Sequence, residues 1–213
     1  MRRFGARLIT VLLVAAGASF AQEVVDRIAA RVESDVILLS DIRALSRYQV
    51  FMDGKAESEG QILDRLIDQW IVRNEATVSR IAQPTDEDVE RSLTRLKKSF
   101  SSVAEFDERR KQNGLSEEDV RRMVKSQLYL SSYLDTRFRP SIQIDDKAIE
   151  DFYQTRVIPR AKSRNQEPPS LEAARDFIQE ALVQKAIIEQ EDKWLKESRS
   201  RVRVEILLME GQK

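Results

Sequence analysis

The stretch Glu23-Val24-Val25-Asp26-Arg27-Ile28-Ala29-Ala30-Arg31-Val32, followed by Glu33-Ser34-Asp35 and Val36-Ile37-Leu38-Leu39, decides how the chain closes on itself. It is rich in β-branched residues, and its alternation puts Ile28, Ala30 and Val32 on one face. The polar triplet is a turn, so residues 24–39 are predicted to form a β-hairpin. A two-stranded hairpin is marginal by itself in water. At the far end Val202, Val204, Ile206 and Leu208 alternate with Arg203, Glu205 and Leu207. This period-2 pattern predicts a strand that joins the hairpin and brings the two ends of the chain together.

Everything between those strands reads as helix. Ser40 is predicted to cap a helix over 41–53 that stops at Gly54. Residues 58–82 carry one broad apolar stripe of Ile62, Leu63, Leu66, Ile67, Trp70, Ile71, Val78 and Ile81, and Pro84 ends it. Thr85 caps a helix through Phe100. Ser102 and Glu105 read as a capping box opening a short helix that ends at Asn113-Gly114. Ser116 caps a helix over 117–138, with a stripe of Val120, Met123, Val124, Gln127, Leu130, Leu134 and Phe138, stopped by Pro140. Asp145 starts another helix through Thr155. Residues 156–169 hold three prolines and no apolar period, so they read as a linker, after which Ser170 caps a last helix to Ser198. The expected fold is mainly α with a small antiparallel sheet.

Composition removes whole classes of chemistry. The 213 residues contain no Cys and no His, and 36 basic side chains face 36 acidic ones. A Ser-His-Asp or Cys-His nucleophile pair is therefore excluded. So are the usual His/Cys zinc site and any disulfide framework. The acidic clusters Asp86-Glu87-Asp88, Glu117-Glu118-Asp119 and Asp145-Asp146 each fall in a first helical turn, where they favour the macrodipole. They read as helix starts and not as metal or catalytic carboxylates. Neither a calcium loop nor a Gly-rich phosphate loop is present. The basic stretches Arg109-Arg110-Lys111 and Arg160-Lys162-Arg164 read as solvated faces. No catalytic residue, metal or cofactor is expected, and the balanced charge gives no nucleic-acid signature.

The first 21 residues are a different material. Met1-Arg2-Arg3 and Arg7 form a positive start, and Leu8 to Ala16 are apolar except Thr10. Ser19-Phe20-Ala21 then places small residues at −3 and −1 of a cleavage site. This predicts a secretory signal peptide cut after Ala21, with a core too short to span a bilayer. No later apolar run approaches the length of a membrane span, so no stable membrane insertion is expected.

The Val24-Val25-Asp26 start, the alternating strand and the Ser40-Asp41-Ile42 helix entry together resemble the opening of SurA-type periplasmic chaperones. The helix over Val120–Phe138, then Ile142-Gln143-Ile144-Asp145 and Phe152-Tyr153, is similar to the end of that family's N-terminal module. Ala173 to Leu208, with Trp194-Leu195, is similar to its C-terminal helix and closing strand. The family inserts parvulin prolyl-isomerase domains where this chain has only 156–169, with no Gly and no His. The resemblance implies a chaperone core without the isomerase. Residues 22–155 would be the N-terminal module, 156–169 a linker in the parvulin position, and 170–213 the helix and strand that complete the module. It further implies a non-enzymatic, ATP-independent periplasmic protein whose partners are unfolded outer-membrane or envelope proteins. The other reading is an envelope assembly adaptor that binds one folded partner. The sequence leaves the oligomeric state open. Aromatic and Met side chains meet varied sequences without demanding one shape. On that ground the expected client-binding residues are Tyr48, Phe51 and Met52 on the first helix, with Met123, Tyr129 and Tyr133 on the 117–138 helix.

Overall fold

The computed structural model describes residues 26–207. The expected leader 1–21 and Leu208 of the expected last strand lie outside the described residues. The chain is mainly α, with a three-stranded antiparallel sheet of order β2-β1-β3. Strands β1 (Ile28–Val32) and β2 (Asp35–Leu38) form the hairpin, and β3 (Val204–Ile206) pairs with the other edge of β1. The Glu33 N–H donates to the Arg203 carbonyl at 3.0 Å and the Leu207 N–H to the Ala29 carbonyl at 2.8 Å, so both ends of β3 are tied down.

The alternation in β1 is broken where it was expected to be regular. The pairing steps from Ile28↔Leu38 to Ala30↔Ile37, which leaves Ala29 as the extra residue of a bulge. Ala29 and Ala30 are therefore both buried, while Ile28 is turned outward at 36% exposure. The inner face of β1 is Ala29, Ala30 and Val32. Two small residues let the helix layer approach this strand closely.

Helix entries follow side-chain chemistry. α1 (Leu39–Asp53) begins ahead of the expected Ser40 cap. Leu38 occupies the cap position and its N–H donates to the Asp41 carboxylate at 2.8 Å, while the Ser40 N–H donates to Asp26 at 3.3 Å. Gly54, at φ 75°, ends α1 as expected. α2 (Glu59–Val78) opens on a Ser58–Gln61 capping box. It stops before residue 82 because Arg80 takes φ 54° and the Ile81 N–H returns to the Ala76 carbonyl at 3.0 Å. That is a Schellman end with Arg in the place glycine favours. α3 (Asp86–Lys98) is capped by Thr85 and α4 (Val103–Gln112) by Ser102. Glu105 does not close the expected box on Ser102, because its carboxylate accepts the Ser101 N–H at 2.9 Å instead. α5 (Glu117–Phe138) has the expected bounds, and a 3-10 turn, Arg139–Ser141, follows it.

The stretch read as a linker is largely helical. α6 (Asp146–Phe152) passes through a π-helical turn (Tyr153–Val157) into α7 (Ile158–Ser163), and only then does the chain turn into α8 (Leu171–Arg199). Pro159 lacks an N–H and would crowd the carbonyl four residues back. Such a proline leads to a linker reading, yet here it sits in the first turn of α7, where that donor is not needed. The wider π turn just before it keeps the helix continuous.

Three apolar clusters hold these elements. The largest gathers Ala29, Ala30 and Val32 with Leu39, Ile42 and Leu45 of α1. Ile62, Ile67 and Ile71 of α2, Tyr129, Tyr133 and Phe138 of α5, and Ile187 and Trp194 of α8 complete it. A second joins Phe51, Val89, Phe106, Leu115, Val120 and Val124. A small third one, Ile149, Ala174 and Ile178, lies between α6 and α8. Helix α5 serves two clusters, its first half packing on α3 and its second half on α2 and α8.

Candidate functional site

Residues Leu45, Tyr48, Gln49 and Met52 stand at i, i+3, i+4 and i+7 on α1, so they share one helix face. That face looks into a groove of about 820 Å³ whose other walls are Asp53, Lys55, Ala56 and Glu57, Arg65 of α2 and Gln127 of α5. Leu45 also borders a smaller hollow of about 280 Å³, lined by Met123 and Ser126 of α5 and by Leu66 and Trp70 of α2. The floor is thus aliphatic, Met and aromatic, and the rim is polar.

One wall is held by a clasp. Glu57 accepts from Arg65 at 2.5 and 3.0 Å and from the Gln49 amide at 2.7 Å, and its own N–H donates to the Gln49 carbonyl oxygen at 3.0 Å. The Arg65 bonds, then the Gln49 bond, hold the Glu57 carboxyl down to about 2. This fixes the α1–α2 loop beside the groove and satisfies its charge locally. Tyr48 is half-buried, and burial, reinforced by Asp53, pushes its phenol above the ordinary value. Its hydroxyl stays protonated at neutral pH, able to donate or accept. A groove of this kind has no catalytic set; it can hold apolar side chains and hydrogen-bond a backbone.

The six residues singled out in the sequence divide. Tyr48 and Met52 line the larger groove, Met123 lines the smaller hollow, and all three are half-buried. Phe51, Tyr129 and Tyr133 are buried, at 0%, 6% and 2% exposure, and belong to the cores. Phe51 and Tyr133 therefore offer no open surface, which corrects that reading of them, while an edge of Tyr129 borders a shallow hollow of about 320 Å³ beside Arg73, Arg122 and Lys125. Phe51 stacks on Phe100 and meets Phe106 edge-on, both at 5.3 Å between ring centres. Tyr133 packs 6.0 Å from Trp194, and the Arg137 guanidinium donates to its hydroxyl at 3.1 Å. Along the second half of α5 Tyr129, Tyr133 and Phe138 are all buried, because this half packs on both α2 and α8, whereas Leu130 and Leu134 are only half-buried. Leu45, Gln49, Glu57, Arg65 and Gln127 were missed. The i−3 and i+1 neighbours of Tyr48 pointed to the first two; the others come from elements distant along the chain.

Among the described residues no cluster of three carboxylates suited to a metal ion exists, and no helix is long and apolar enough to cross a membrane. Compared with known proteins, the chain matches no family model and no curated protein. A solved chain belonging to work on PEB4 and Cj1289, described as two structurally related SurA-like chaperones of Campylobacter jejuni, superposes with a TM-score of 0.49. The identity is 12%, over 85% of this chain and 99% of that chain.

Proposed function

We propose that the chain is an ATP-independent periplasmic holding chaperone that takes apolar segments of unfolded outer-membrane or envelope proteins into the α1–α2–α5 groove. The observation that carries this reading is the groove itself, where Tyr48, Met52 and Ala56 are only partly covered by the cores they pack on and Leu45 forms the base. Flexible Met and amphipathic Tyr suit partners of varied sequence. The leader-like first 21 residues and the SurA-type strand and helix entries described above support export and the chaperone class. No catalytic step is assigned, and residues 156–169 hold no Gly or His with which to build an isomerase site.

The test is suppression of aggregation of a denatured outer-membrane protein by Met52→Gln/Met123→Gln. Both positions are half-buried and the replacement is close in volume, so a melting curve on the same variant separates a lost fold from lost holding. Suppression should fall, and in the parent it should persist as salt is raised, since apolar contacts are not screened. Unchanged suppression by the double variant overturns the groove as the client site. Failure of the parent to suppress aggregation of several unrelated unfolded proteins favours the single-partner adaptor.

A further inference from the structure

The π turn and α7 run beside the first half of α8 and enclose a second cleft, of about 480 Å³, on the side of the molecule built from the smallest apolar cluster. Its floor is Phe152, Val157, Ala161, Ala174 and Phe177. Phe177 is 69% exposed, an unusual state for a large aromatic with apolar neighbours beside it. Arg156, Arg160 and Arg164 line the same cleft at i, i+4 and i+8, and no carboxylate lines it. Among the described residues none of the three guanidinium groups forms an ion pair, whereas Arg139, Arg175 and Arg199, on or beside α8, each do. A solvated face accounts for exposed arginines, but not for three in a row over an uncovered apolar floor.

We propose that this cleft is a second binding site, separate from the α1–α2–α5 groove, and that it receives an extended peptide segment in which acidic residues alternate with apolar ones. Charge complementarity selects the occupant. Arg156 lies in the π turn, Arg160 in α7 and Arg164 just past its end, so successive arginines are separated by roughly one helical turn, about 5–6 Å along the axis. Alternate residues of an extended strand are about 6.6–6.8 Å apart, so carboxylates at every second position match the arginine row. The intervening side chains point the opposite way, toward Phe177 on the α8 wall. Guanidinium groups suit this task because they bind carboxylates in a two-point geometry.

The experiment uses the full chain and fluorescein-labelled peptides read by anisotropy. Asp-Leu-Asp-Phe-Asp-Leu should bind, and the same peptide with Asn in place of Asp should bind about tenfold more weakly. Binding of the Asp peptide should weaken steeply with salt, unlike client holding in the groove. Arg156→Gln/Arg160→Gln/Arg164→Gln should lose the difference between Asp and Asn peptides while melting like the parent, since all three side chains are exposed. Phe177→Ser should weaken both peptides. Met52→Gln/Met123→Gln should leave Asp-peptide binding unchanged, which separates this site from the groove. Equal binding of Asp and Asn peptides, or a triple-arginine variant indistinguishable from the parent, overturns the proposal. So does co-sedimentation with vesicles of anionic phospholipid without peptide binding, which assigns the arginine row to a membrane surface.

Discussion

The core around the sheet draws on both ends of the chain, whereas the lobe of α3 and α4 is assembled from residues between 48 and 128. The first buries Trp194 beside Tyr133 and Phe138 and is closed by distant pairs. Arg199 reaches Asp68 at 2.7 Å and Asp64 at 3.1 Å, and the Trp70 indole donates to Asp35 at 2.7 Å. The second rests on three phenylalanines, Phe51, Phe100 and Phe106, within one local run of helices. The first region is thus fastened by contacts far apart in sequence and the second by contacts within one run of helices. The candidate groove lies at the seam, with Leu45 belonging to the large core and Tyr48 and Met52 packing on the lobe. Local opening of the lobe would widen the groove without separating the ends of the chain.

The largest effect should come from the frame. Trp194→Ala should cost about 4 kcal/mol in chemical denaturation, with Tyr133 and Phe138 both losing their ring partner. Phe106→Ala should cost about 3 kcal/mol, but hydrogen exchange should rise first in α3 and α4. Uniform exchange across the molecule in that variant would erase the distinction between the two regions. Deleting residues 203–213 should cost about 2 kcal/mol, less than strand pairing with full burial would suggest. Val204 is only half-buried and Ile206 is 59% exposed, so β3 contributes mainly its ladder to β1.

Smaller effects test the seam. The folded-state pKa of Glu57 is held near 2, below its ordinary 4.5, by Arg65 and Gln49. A depressed carboxyl stabilises the fold above pH 4.5 and loses that contribution as pH falls toward 2. Glu57→Gln should therefore flatten the stability profile in that window, modestly, because the pair is largely solvated. A parent and variant with parallel profiles from pH 5 to 2.5 would show that the clasp does not hold the groove wall. The smallest effect belongs to Arg80, whose left-handed backbone glycine adopts freely. Arg80→Gly should raise stability by about 0.5 kcal/mol, the net of relieved strain and a looser unfolded chain, read from the denaturation midpoint.

Local chemistry was legible wherever a side chain acts on its own neighbourhood. Thr85, Ser102, Ser116, Asp145 and Ser170 each cap the helix they were expected to cap, and Gly54 and Gly114 end helices at positive φ. These contacts span three or four residues, so sequence order contains them. The hairpin and the alternation near residue 204 likewise announced a sheet, because a strand's period is a property of its own side chains. The candidate site was legible only in part. Tyr48, Met52 and Met123 reach open grooves, whereas Tyr133 and Phe51 do not, although residue type alone does not tell them apart.

What the sequence alone determined is the inventory: helices with most of their starts, a hairpin seeking a third strand, and a chain without His or Cys. What only the tertiary structure decided is which faces are spent on the protein itself. The crossing of α5 over α2 and α8 turned Tyr129 and Tyr133 inward. The bulge at Ala29 turned Ile28 outward, and the π turn before Pro159 made a helix of an expected linker and set three arginines over an apolar floor. The physical reason is the same in each case. Burial is an outcome of how distant elements pack, and an amphipathic helix specifies that one face must be covered without specifying by what.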